Sequence, residues 1–359
     1  MISVAQSSAS DAMAVGYSLE PSTAPVALQW NGKTWVVTPT PHPAGGALLY
    51  ADTAVPKTDE YMAAGEECTS KACPEAYVLS WDGTAWSQMT LPKMGNSTDI
   101  SSISASSADD AWAVGQQCNN VRGICNPLIL HWNGTTWSKV GVPQLKGLYA
   151  DLYSVVDISK NDAWAVGSSF EGGLAINWNG HSWVKVHVPG ATGGFNTGLD
   201  AIARVPGTSE IWALVSASGG QFTLLWDGTK WKGHNFNLKG FYSLSSIAAS
   251  STTSAWSVGN SFSKSGTEPS LTVRWNGHSW STVKSPSPSP VDEMFSVTTS
   301  SSSSAIAVGV RLSPLQQNIA SGLILDFKGS SWTKAALPTP TVPSGATPQA
   351  SRMTESKKF

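Results

Sequence analysis

The chain has 359 residues, 41% of them hydrophobic and only 13% charged, with a net charge of -2. That length suits two or three ordinary domains or one large all-β unit. No run of Lys or Arg precedes Lys357-Lys358, which argues against a nucleic-acid partner, and no stretch approaches the ~18 apolar residues of a membrane span.

Met1-Ile2-Ser3-Val4 already reads as a first strand, with no signal peptide ahead of it in this chain. The strand opens a repeat with a period of roughly 44 to 52 residues, in the range of propeller blades. Its beat is a closing tryptophan: Trp35, Trp86, Trp137, Trp183, Trp231, Trp280 and Trp332. A second aromatic stands just upstream, at Trp30, Trp81, Trp132, Trp178, Trp226, Trp275 and Phe327. Between the two lies Asn-Gly or Asp-Gly in six copies and Lys328-Gly329 in the seventh. Asn or Asp before Gly between apolar runs predicts a hairpin, because these residues tolerate positive φ.

An earlier hairpin sits in each copy. A Ser-rich strand runs through a polar turn into a strand such as Ala163-Trp164-Ala165-Val166-Gly167, preceded by Asp11, Glu60, Asp110, Asp162 or Glu210, with Ser254 and Ser304 in the last two copies. Four short strands, a to d, thus make one copy. The fold class predicted is all-β: a seven-bladed β-propeller with four antiparallel strands per blade. Its blades fall at about 1–43, 44–95, 96–146, 147–190, 191–237, 238–289 and 290–338, and a Pro/Ser/Thr-rich tail, 339–359, is expected to be disordered.

Alternation sorts the side chains. In the third copy, Trp112 and Val114 point one way and Ala111, Ala113 and Gly115 the other, so a bulky face can meet a small face of the neighbouring blade. Ser3, Ser102, Ser154, Ser246 and Ser296 recur thirteen residues before the strand-b glycine. Crowding around one axis gives them a steric reason. All 17 tryptophans have places in this scheme, which makes them core rather than ligand platforms.

Cys68 and Cys73 lie in the variable loop of the second copy, Cys118 and Cys125 in that of the third. Two local disulfides are the favoured reading, with free thiols or a zinc site as alternatives; neither spacing is the tight Cys-x-x-Cys that zinc prefers. Disulfides would place the protein outside the cytoplasm, as would its low charge and high Ser, Thr, Gly and Asn content. An extracellular or cell-envelope location is therefore expected, and a bacterial source fits.

Gly115, Trp132 and Trp137, and their counterparts in most copies, hold places comparable to the glycine pair, Tyr and Trp of the kelch repeat. From Met1 to about Pro338 the chain resembles that family, and it is similar in architecture to the propeller domain of galactose oxidase. It departs in having one glycine where kelch usually has two, and Trp-Asn-Gly where kelch has Tyr and a polar turn. The resemblance implies architecture only. Galactose oxidase holds copper through paired tyrosines and histidines, and no pair among His42, His131, His181, His187, His234 and His278 converges in the repeat. No metal or cofactor is expected.

In such a blade the a–b and c–d turns fall at one end and the b–c and d–a loops at the other. The first end is nearly identical from copy to copy; the second carries the variation, for example at 17–25, 66–74, 116–127, 260–270 and 311–321. Binding residues diverge where scaffold residues repeat. Candidate ligand-binding residues near the channel mouth are His42, Tyr149, Phe195, Phe241, Tyr242, Asp292 and Glu293. Tyr149 and Tyr242 each come shortly after a Lys-Gly pair, an echo expected to build similar surfaces. A monomeric binding protein for a protein or carbohydrate ligand is the leading expectation. The alternative is a polysaccharide hydrolase or lyase whose carboxylates, from among Asp52, Asp151, Asp200 and Asp292, converge at the mouth.

Overall fold

A computed structural model of the protein describes residues 1–19, 22–68, 75–95, 97–119, 124–145, 149–191, 194, 197–313 and 316–338. Cys73, Phe195 and the 339–359 tail lie outside them. The described residues form seven antiparallel sheets, each of four consecutive strands in the order a-b-c-d. Blade four is typical: Ala150–Ser159, Asp162–Ser169, Gly172–Trp178 and Trp183–Val186. Strand a of every blade touches strand a of both neighbours, and Val291–Ser301 of blade seven touches Ser3–Ser8 of blade one. The a strands therefore encircle one axis and the short d strands form the rim. No strand is exchanged between the first and last blades among the described residues.

The c–d hairpins form for the reason their sequence suggests. Asn133 Oδ1 accepts from the backbone N–H groups of Thr135 and Thr136 at 3.0 and 2.9 Å, while Gly134 takes φ +90°. Asn31, Asp82, Asn179, Asp227 and Asn276 repeat that turn. The indole N–H of the first Trp then ties the c–d hairpin to the a–b turn, as Trp132 does to the Ala108 carbonyl at 3.0 Å and Trp178 to Lys160 at 3.1 Å.

Blade-to-blade packing uses the bulky strand-b side chain. Trp112 lies 5.0 Å, between ring centroids, from both Trp178 and Trp183 of the next blade. Trp164 meets Trp226 and Trp231, Trp212 meets Trp275 and Trp280, and Trp256 meets Phe327 and Trp332 in the same way. Met13 packs with Trp81 and Trp86, and Met62 with Trp137. Ile306 closes the ring by packing with Trp30 and Trp35.

The recurrent serines do more than fit. Strand a has an inner edge with no ladder partner, and orphaned N–H groups there would be costly. Ser3, Ser102, Ser154, Ser246 and Ser296 each accept, through Oγ, a backbone N–H from the neighbouring blade. The donors are Asp52, Val155, Ile202, Val297 and Val4, at 3.1–3.4 Å. The last of these bonds spans the junction of blades seven and one. Ala51 and Ala201 stand in the serine position of blades two and five.

The strand-b glycine has an equally specific cause. Each of blades two to seven bulges strand a near its start, at the step from Leu152 to Ser154 in blade four. The bulge drives the preceding carbonyl against strand b. A Cβ on Gly167 would meet the Asp151 oxygen at 1.9 Å, and Gly65, Gly115, Gly259 and Gly309 face equivalent oxygens at 1.9–2.2 Å. Blade five places Val215 there and has its glycine, Gly198, in strand a. Cys118 and Cys125 are directly opposite in the b–c ladder and are disulfide-bonded; Cys68 is disulfide-bonded too.

Gly167→Ala is expected to cost ~3 kcal/mol in denaturant unfolding, the upper end for overpacking. Gly141→Ala, whose Cβ meets nothing within 4 Å, should stay within about 0.5 kcal/mol of the parent; equal effects would refute the bulge explanation.

Candidate functional site

The bulge also aims side chains. At the variable end, strand a begins and strand b ends, and in blades two to seven the residue after the strand-b glycine position lies beside the bulge. In order around the ring these residues are Tyr17, Glu66, Gln116, Ser168, Ser216, Asn260 and Val310, with Ser216 next to Val215 in blade five. Tyr50 donates its hydroxyl proton to Glu66. Gln116 Nε2 donates to Asp99 at 2.9 Å, Tyr153 Oη lies 2.6 Å from Ser168 Oγ, and Ser216 donates to Asp200.

Neighbouring blades join these pairs into an arc. The Tyr17 and Tyr50 rings meet edge to face at 6.2 Å. Burial raises the Asp151 carboxyl above its usual range, and the nearby Asp99 raises it further. Burial raises Asp200 as well, against the opposing hydrogen bonds from Ser216 and Gln221. Tyr153 stands between them; burial first, then the charges of Asp151 and Asp200, push its hydroxyl up. In blade seven Glu293 is raised by burial and then by Glu268. No described Lys or Arg offsets Asp151, Asp200 or Glu293.

Exposed aromatics gather at the same end. Among the described residues they are Tyr149, Tyr153, Phe170, Phe241 and Phe262, with Phe241 the most open at 83% exposure. Phe241 is directly opposite Phe262, and the Phe170 N–H donates to the Tyr149 carbonyl at 3.2 Å. Counted from Leu244 and Leu152, which face Gly259 and Gly167, the two pairs hold the same repeat positions on blades six and four. The counterpart of Tyr149 is therefore Phe241, and the Lys-Gly echo that matches Tyr149 with Tyr242 is out of register by one residue.

Tyr242 is instead half-buried against Phe236, with ring centroids 6.3 Å apart. His42 is exposed on the connector between blades one and two. Asp292 is fully buried and accepts from Ser287 Oγ and the Ser289 N–H at 2.7 and 3.0 Å, fastening the Ser-Pro connector of blade six. Asp52 lies deeper, where the other blades have Val4, Ile103, Val155, Ile202, Ile247 and Val297. Its Oδ2 accepts the Ala5 N–H at 3.1 Å and its Oδ1 has no hydrogen-bond partner. Burial pushes its carboxyl up to about 7.

Asp157, Asp110 and Ser106 meet at the opposite, repeated end: the Asp157 carboxylate accepts the Ser106 N–H at 3.0 Å, and Asp110 accepts its hydroxyl at 2.6 Å. Among the described residues no group of three or more His, Cys, Asp or Glu side chains is placed to hold a metal ion. Shallow grooves of about 460 and 310 Å³ lie on the outer rim, lined in part by Phe222 and Trp231 and by Met89 and Trp137; they share no residue with the mouth.

Sequence reasoning places Tyr17, Glu66, Gln116 and Asn260 at the start of variable stretches and misses the bulge opposite that position. The signal is present: beside a repeated glycine stands a residue of different chemistry in nearly every copy.

No family model matches the chain, and no curated protein matches it. Solved structures do. The chain is similar to YCF48 bound to a D1 peptide at 15% identity, covering 82% of this chain and 83% of that one with a TM-score of 0.52. YCF48 from Cyanidioschyzon merolae matches at 16% identity, 82% and 86% coverage and a TM-score of 0.51. An ulvan lyase of polysaccharide lyase family PL25 matches at 9% identity, 78% and 81% coverage and a TM-score of 0.52. At these identities the likeness is one of fold: a propeller shared by a peptide-bound protein and a lyase.

Because the Asp52 carboxyl is raised in the folded state, the stability it confers is full below pH ~4, its unfolded value, and is lost as pH rises through about 7. Asp52→Asn should match the parent near pH 4 and exceed it at pH 8 by on the order of 3 kcal/mol. Melting curves across that range check this; a constant difference would contradict it.

Proposed function

We propose that the protein is a secreted or cell-envelope binding propeller that recognises a protein or glycan ligand through its b–c and d–a loop end. The observation that carries this reading is the placement of the exposed aromatics: all those among the described residues stand at the variable end, whereas the tryptophans of the repeated end are spent on packing. Solvent-facing aromatics concentrated on one surface mark an interaction site. The Cys118–Cys125 disulfide and the low charge support the location. The kelch-like reading of the repeat rests on the shared places of its glycine and aromatics.

One observation favours a second reading, a hydrolase or lyase acting on extracellular polysaccharide. Asp151 and Asp200 flank Tyr153, and both carboxyls are raised, as a general acid requires.

A glycan array and a panel of immobilised peptides, probed with the intact protein, test the first reading. Bound ligands should be lost at least tenfold on Phe241→Ser and unaffected by Val184→Ser on the rim. Equal loss in both variants would overturn the reading. Turnover of a polysaccharide panel that disappears in Asp151→Asn would replace it with the second.

A further inference from the structure

The loop end is not uniform around the ring. Blade four turns from strand b to strand c through Phe170-Glu171 alone, and blade five through Ser218-Gly219 alone. On one side the strand-b hairpin of blade three extends to Asn119, pinned by the Cys118–Cys125 disulfide. On the other, blade six raises a loop between Phe262 and Ser270, held by hydrogen bonds among Ser263, Ser265 and Thr267 at 2.7–3.0 Å. Blades four and five thus have two-residue b–c turns between the longer hairpins of blades three and six.

The exposed aromatics stand on this stretch and beside it on blade six. Tyr149 and Phe170 stand on blade four, and Phe241 and Phe262 hold the same repeat places on blade six. Between them Tyr153 leans over blade five, where its ring comes within 3.7 Å of where a Cβ on Gly198 would lie. Asp151 and Asp200 lie beside it. Glu171, at the edge of the trough, is already paired with Lys185 at 2.6 Å.

Charge decides what fits an apolar trough of this kind. Asp151 and Asp200 put carboxylates beside it, which draw a cation in and repel an anionic segment. Aromatic faces attract the same groups through their ring quadrupole, and the aliphatic stems of Lys and Arg can lie along apolar surface while their heads reach the carboxylates. We infer that the trough over blades four to six binds a lysine- or arginine-bearing segment of a partner protein, with its cations on Asp151 and Asp200 and its stems against Tyr149, Tyr153, Phe170 and Phe241. The inference rests on the binding reading above and names its ligand.

Fluorescence anisotropy tests it with a labelled nonapeptide of alternating Lys and Ser, its Glu-Ser counterpart, and a neutral glucan hexamer. The Lys peptide should bind and weaken at least tenfold both in Asp151→Asn/Asp200→Asn and in Phe241→Ser, whose side chain is too exposed to matter for folding. It should also weaken steeply between about 50 and 300 mM salt. Asp82→Asn, a turn acid at the opposite end whose counterparts are mostly Asn, should leave binding unchanged. If the glucan binds and is lost in Phe241→Ser while the Lys peptide does not bind, the cationic ligand is refuted and the site stands. If the Lys peptide binds equally to the Asp151/Asp200 variant, or no better than the Glu peptide, the inference is refuted. If no probe responds to any mouth substitution, the site fails with it.

Discussion

The structure depends on one contact made at every blade junction: a bulky strand-b side chain seated on the aromatic pair of the next blade. Trp112 on Trp178 and Trp183 is the fullest version, and Ile306 on Trp30 and Trp35 is the one that closes the ring. The contact has a direction, large face to small face, so each blade fixes the angle of the next. It also commits the aromatic hairpin, its Asn-Gly turn and the strand-b position in every copy. The repeated end is thereby fully occupied by scaffold duties, and variation is confined to the other end.

A smaller device sets the character of that other end. In five blades the strand-a bulge presses a carbonyl so close to strand b that no Cβ fits opposite it, which is why Gly167, Gly65, Gly115, Gly259 and Gly309 recur; blade five has the bulge with Val215 there. In blades two to seven the same bulge brings two freely chosen side chains to the channel mouth. Tyr50 with Glu66, Tyr153 with Ser168 and Asp200 with Ser216 are outcomes of one geometry filled by different chemistry. Rigid backbone under variable side chains is the arrangement a binding surface benefits from, because little is left to order when a ligand arrives.

Much of this is legible in the sequence. The spacing of Trp35, Trp86 and their successors gives the blade number, and Asn-Gly between two aromatics gives the c–d hairpin. Alternation in the Ala111–Gly115 stretch gives the facing of bulky and small sides. The bulge is not legible, because an extra residue in one strand shows only when its partner's register is known. For that reason the repeated serines read as steric fillers although they satisfy the inner edge of the neighbouring strand, and the Lys-Gly echo points from Tyr149 to Tyr242 instead of Phe241. The acids are ambiguous for a related reason. Asp151 and Asp52 both fall near the start of strand a, yet the bulge lies between their repeat positions: Asp151 precedes it at the mouth, and Asp52 follows it, where blade four has Val155.

Ring closure is tested most directly by whether the first and last blades are joined as firmly as any internal pair. Urea unfolding of Ile306→Ala and Met62→Ala, monitored by tryptophan fluorescence and far-ultraviolet circular dichroism together, measures this. A ring closed by the strand-b contact predicts one transition for both probes and a similar loss in each variant, about 2–4 kcal/mol as for other buried truncations. A separate early transition in Ile306→Ala, or no shift in its midpoint, would show that the ring is not closed by this contact.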